Sequence, residues 1–132
     1  MIGIDTNILV RYFAEDDPGQ AAVARRLLHR GLSAERPGFI SLLTLAELAW
    51  VLRSRYGASR DEVIGAIEVL MTSPHMTVQD EDAVWLALDH CDKPGVGVSD
   101  ALIAALGQQH GCSHALTFDR RAARIDGMKL AT

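Results

Sequence analysis

Cysteine is scarce in this chain: Cys91 and Cys112 are the only two among 132 residues. Two cysteines cannot form a disulfide framework, and in a reducing compartment both are expected to be free thiols. Long apolar runs are missing as well. None reaches the roughly 18 residues that a transmembrane segment needs. Nor does the chain open on a basic segment followed by an apolar stretch and a cleavage site. The expectation is a cytoplasmic protein with no membrane span. Positive charge is also in short supply, since 13 Lys and Arg against 17 Asp and Glu leave a formal net charge of −4. That balance counts against nucleic-acid binding through bulk charge alone. A Gly-rich phosphate loop is absent, which argues against a P-loop nucleotide enzyme. His110, Cys112 and His114 alternate at the end of a helical stretch and read as a turn rather than a zinc site.

What is present is a normal core composition, 48% hydrophobic and 23% charged. A chain of this size buries roughly two thirds of its unfolded surface, and no repeat or linker divides it, so one domain over 1–132 is expected. Short apolar stretches at Ile2–Ile4, Gly38–Ile40, Met76–Val78, Ala115–Phe118 and Met128–Leu130 read as buried strands. Between them lie helical patterns over about 7–13, 17–30, 41–56, 59–71, 80–90 and 99–111, with a helical turn at 120–124. Several starts are marked by local chemistry. Asp17 precedes Pro18 in N-cap and N1 order, and Ser59 precedes Glu62 at capping-box spacing. KPGVGVSD reads as a loop. Strands alternating with helices predict a parallel sheet covered on both faces, a three-layer α/β/α sandwich.

Four carboxylates stand in places that need explaining. Asp5 interrupts the two apolar stretches of MIGIDTNILVRYF. Asp100 opens SDALIAAL after the glycine-containing loop, and Asp119 closes LTFD after a strand. Each of these three is accounted for, taken alone, by helix capping and the helix dipole. Glu47 lies in SLLTLAELAWVL, where only Ser41, Thr44 and Glu47 interrupt the apolar run, three residues apart and on one stripe. Its carboxylate is expected to be surrounded by protein and met by a cation or donor; the competing readings are a salt bridge to Arg53 or Arg11 and a partly exposed edge. Strand-to-helix junctions of a parallel sheet gather at the carboxyl ends of the strands, where ligands bind. Four acids converging there suit a hard divalent cation such as Mg²⁺ or Mn²⁺. Two arginine clusters, Arg25–Arg26–Arg30 and Arg120–Arg121–Arg124, read equally as solvated helix faces or as phosphate contacts.

The motifs IDTNIL, LAEL, SDALIAAL and LTFDRRAAR resemble the four acidic motifs of PIN-domain ribonucleases. More closely they resemble the VapC-type toxins of type II toxin–antitoxin pairs, and RYFAEDDPGQAAVARRLL and ISLLTLAELAWVL extend the likeness between motifs. The resemblance covers essentially the whole chain in order. It implies a PIN-like fold and makes Asp5, Glu47, Asp100 and Asp119 the catalytic, metal-binding residues, with Asn7 and Thr117 shaping the pocket. It further implies Mg²⁺- or Mn²⁺-dependent hydrolysis of RNA, a homodimer, and a VapB-like antitoxin whose tail covers the acidic pocket. Trp50, Trp85 and Leu86 are available for apolar contacts or for the core. One departure is Gly97, where many relatives carry a further Asp, which bears on a second metal position. The competing expectations are an inactive PIN-like interaction module, a nuclease for structured DNA, and a receiver-like phosphoacceptor. The last lacks its middle-strand Asp and late Lys.

Overall fold

A computed structural model describes residues 1–132, which form two compact units, Met1–Gln79 and Asp80–Thr132. In the first unit β1 (Ile2–Gly3), β2 (Gly38–Ile40) and β3 (Met76–Val78) pair in parallel, in that order. Parallel neighbours need crossover connections. Helices α1 (Thr6–Ala14) and α2 (Pro18–Arg30) supply the first, and α3 (Leu42–Tyr56) and α4 (Arg60–Thr72) the second. The register aligns Ile2 with Gly38 and Gly38 with Met76. Gly38 allows this close approach, because a Cβ there would stand 3.0 Å from Leu32 Cδ1 and 3.1 Å from Met76 Sδ. The core is aliphatic: Leu9, Ile40, Leu45, Leu48, Ile67 and Leu70 are all essentially fully buried.

Helix boundaries in this unit follow local chemistry. Asp17 accepts the Gln20 N–H at 3.0 Å ahead of Pro18. Ser41 accepts from Thr44 N at 3.1 Å. Ser59 and Glu62 form the reciprocal capping box, at 3.1 and 3.0 Å. Gly57 ends α3 with φ 65°, a left-handed conformation that glycine adopts without steric cost.

The second unit contains α5 (Glu81–His90), α6 (Val98–Gln109), β4 (Ala115–Thr117), a 3₁₀ turn (Ala122–Arg124) and β5 (Met128–Leu130). α5 packs against α6, and β4 pairs with β5 in parallel. Small residues (Ala83, Ala87, Ala101 and Ala105) are fully buried, with Val84, Val96 and Ile125 filling the rest of this core. Gln108 Nε2 donates to Asp126 O at 3.1 Å, which ties α6 to the turn before β5.

Six helices and uniformly parallel strand pairing match the expected α/β class and are consistent with the three-layer α/β/α arrangement. The hydrogen-bonded strands fall into sheets of three and two. Two expectations need correction. α6 begins at Val98, one residue ahead of the expected start at Ser99. The stretch 115–118 is not buried throughout: Leu116 is 66% exposed and Phe118 86%.

Candidate metal centre

Asp5 follows β1 and occupies the N-cap position of α1 with an extended backbone, φ −78° and ψ 156°. The backbone is that of a cap, but the side chain makes no capping hydrogen bond. Capping therefore does not account for Asp5, whose carboxylate is exposed and has no ion-pair partner. Thr6 beside it is the buried polar residue of this junction, 4% exposed, while Asn7 faces solvent.

Glu47 corrects the sequence reading. It lies on α3, which packs against α1, but it is exposed and forms no salt bridge to Arg53 or Arg11. Arg11 instead pairs with Asp16 at 2.9 Å. The physical reason is visible at i−4 and i+3 of the same helix: Leu43 is 79% exposed and Trp50 60%. The apolar residues of α3 extend onto its outer face, so apolar neighbours in sequence did not mean burial for Glu47. Ser41 and Thr44, from the same stripe, are half-buried and bonded to each other at 3.1 Å.

In the second unit, Asp100 is the third residue of α6, after the N-cap Gly97. It is half-buried. Burial pushes its carboxyl above the ordinary carboxylate value, and the charge of Asp119 pushes it further the same way. Asp119 lies beyond β4, where its Oδ1 accepts from Arg121 N at 2.7 Å and from Ala122 N at 3.4 Å. Here the capping expectation holds, and one oxygen of Asp119 carries it. Thr117 Oγ1 accepts the Asp119 N–H at 3.0 Å, which sets the backbone on which that carboxylate stands.

Two of the four acids, Asp100 and Asp119, thus act on each other electrostatically within one unit, while Asp5 and Glu47 ride on packed helices of the other. None of the chain's three ion pairs (Arg11–Asp16, Arg25–Glu15 and Lys93–Asp126) involves any of the four. No group of three or more His, Cys, Asp or Glu is placed to hold a metal ion. The donor chemistry nevertheless fits a hard cation. All four groups offer carboxylate oxygens, no arginine or lysine is paired with them, and burial, with the charge of Asp119 beside it, disfavours the charged form of Asp100. Not anticipated from sequence is a cleft of about 420 Å³ in the first unit, whose lining includes Tyr12, His29, Ser73, His75 and Met76. No single motif signals it, because those residues come from four separate elements.

The chain belongs to the PIN domain family, whose model matches residues 2–128 and so extends over both units. Members of this family are generally hydrolases of nucleic acid that use divalent metals. No curated protein matches the chain significantly. No helix is long and apolar enough to cross a membrane.

Proposed function

We propose that the chain is one PIN domain over residues 1–132 and a Mg²⁺- or Mn²⁺-dependent endoribonuclease, the toxin of a VapBC-type toxin–antitoxin pair. The observation that carries this reading is the PIN family match over residues 2–128, together with four carboxylates, Asp5, Glu47, Asp100 and Asp119, that no basic side chain pairs. Carboxylates left without basic partners favour an incoming cation.

Asp5 and Asp100 are the residues proposed to hold the cation directly, with Glu47 and Asp119 acting directly or through water. A bound Mg²⁺ or Mn²⁺ supplies charge neutralisation of the scissile phosphate and activation of water at neutral pH. The protein's own part is placement. Asp5 keeps its carboxylate clear of the α1 amides. Asp119 commits Oδ1 to the turn, leaving Oδ2 without a hydrogen bond. Thr117 holds the Asp119 backbone, and Asn7 stands two residues beyond Asp5 with its amide exposed. The family resemblance extends the proposal to a cytoplasmic homodimer inhibited by a VapB-like antitoxin tail, whose Arg or Lys would face the same acids.

The test is cleavage of RNA, single-stranded DNA and hairpin DNA by purified protein in EDTA, Mg²⁺ and Mn²⁺, beside Asp5→Asn and Asp100→Asn. Sequencing of RNA ends after induction without antitoxin then locates the cut. RNA cleavage that needs the cation and both aspartates supports the assignment. Undiminished cleavage by both variants removes it.

A further inference from the structure

α2 carries a basic face that the proposed chemistry leaves unused. Arg25, Arg26, His29 and Arg30, with Ala22, surround a shallow groove of about 380 Å³. Spacings of three and four residues place all of them on one side of the helix. α2 contains no acidic residue, and of the three acids just before it only Glu15 reaches the face, where it pairs with Arg25. Asp16 accepts from Arg11 and Tyr56, and Asp17 caps Gln20 N. Arg26 and Arg30 are left exposed and without any ion pair or hydrogen bond. Helix-dipole stabilisation accounts for cations in the last turn, His29 and Arg30, but not for Arg26 a full turn earlier. In a chain of net charge −4, this is one of two such arginine clusters, the other being Arg120–Arg121–Arg124.

His29 belongs to two concavities at once. It lines the arginine groove and also the 420 Å³ cleft, where its Nε2 bonds the Tyr12 hydroxyl at 2.9 Å and the two rings meet edge-on at 5.5 Å. Leu28, Val69 and Met76 give that cleft apolar walls, and Ser73 and His75 give it polar ones. A cavity of this volume, with apolar and polar walls and the rings of Tyr12 and His29, takes a ring system. Arginines next to ring-binding surfaces are the combination that holds single-stranded nucleic acid.

We infer that the arginine face of α2 and the adjoining Tyr12–His29–His75 cleft form an RNA exosite, with phosphates on Arg26 and Arg30 and one base in the cleft. The inference rests on the ribonuclease reading and deepens it. The exosite lies at the far end of α1 from Asp5. Tyr12 is near the C-terminus of that nine-residue helix, and His75 and Met76 stand at the amino end of the three-stranded sheet. α1 spans roughly 13 Å at 1.5 Å per residue. RNA held here is gripped by a surface that contains none of the four acids.

The test measures binding of a fluorescein-labelled single-stranded oligouridylate in EDTA, where cleavage is suppressed, across a salt series. Arg26→Gln/Arg30→Gln is compared with wild type, and circular dichroism confirms that it folds. Each phosphate contact on a single strand contributes about 0.7 to the log–log salt slope, so the double variant is expected to lose about 1.4 from that slope. At 0.1 M salt its affinity falls by about tenfold or more. The His29 and His75 ring resonances shift with oligouridylate and not with inorganic phosphate. An unchanged slope and affinity in the variant, or unmoved histidines, overturns the exosite. So does a poly-glutamate peptide that displaces the oligonucleotide and reproduces the shifts, since the surface then serves an acidic protein segment. If wild type cleaves RNA while the variant binds identically, the exosite alone fails. Wild type that neither binds nor cleaves RNA ends both readings.

Discussion

Burial raises the proton affinity of Asp100, and the charge of Asp119 acts on it in the same direction. A carboxyl whose folded value lies above the ordinary 3.8 binds its proton more tightly folded than unfolded. Its contribution to stability is therefore fully present below pH 3.8 and is lost as pH rises through the raised folded value. Asp100→Asn is expected to melt higher than wild type at pH 7 in EDTA, with the difference closing below pH 3.8. Melts at the two pH values check this. A variant less stable than wild type at pH 7 would mean that the ionised carboxylate is stabilising.

Added Mg²⁺ or Mn²⁺ should reverse that ranking. A ligand bound only by the folded state stabilises by RT ln(1 + [L]/Kd), about 2.7 kcal/mol at a hundredfold excess over Kd. Wild type gains this shift, while Asp100→Asn and Glu47→Gln lose most of it. Thermal melts in Mg²⁺ against NaCl of matched ionic strength give the comparison. Equal shifts in all three proteins would detach the cation from these acids.

Gly97 offers a gain-of-function experiment. Its backbone, φ −82° and ψ 150°, is one that any residue adopts, and a Cβ there would lie 3.8 Å from Asp100 Oδ2. Gly97→Asp places a further carboxylate beside Asp100 at an N-cap position that favours Asp. Calorimetric titration with Mn²⁺ is expected to show binding tighter by about tenfold, or 1.4 kcal/mol. Unchanged affinity would show that position 97 faces away from the cation.

Tyr56 donates to Asp16 at 2.7 Å, and Arg11 donates to the other oxygen of Asp16 at 2.9 Å. The Tyr56 bond is the first cause, and Arg11 a lesser one, of an Asp16 carboxyl held below its ordinary value. The sign is opposite to that at Asp100. This stabilisation is present above pH 3.8 and lost as pH falls through the depressed folded value. Tyr56→Phe should lower the melting temperature at pH 7 and converge on wild type in acid. A deficit that is constant with pH would assign the loss to packing.

Helix starts were legible because caps are decided within four residues. Ser59 with Glu62, and Asp17 with Pro18, needed nothing distant to be read. Burial was harder to read. Glu47 was expected inside because its neighbours are apolar, but Leu43 and Trp50 of α3 face outward with it. Leu116 and Phe118 misled in the same way. For the acids, residue types and order along the chain carry the proposal of all four. The coupling of Asp100 to Asp119 was not legible from spacing, because a helix, a strand and a turn decide it. The Tyr12–His29 cleft stayed hidden for the same reason: its walls come from four elements.

Asp119 divides its labour between its two oxygens. One is spent on the amides of Arg121 and Ala122, and the other accepts nothing from the chain. Asparagine can still supply the first oxygen, but it turns the second position from an acceptor into a donor. Alanine supplies neither. Replacing a single oxygen by an amide nitrogen therefore separates the carboxylate's outward chemistry from the architecture of the turn it anchors.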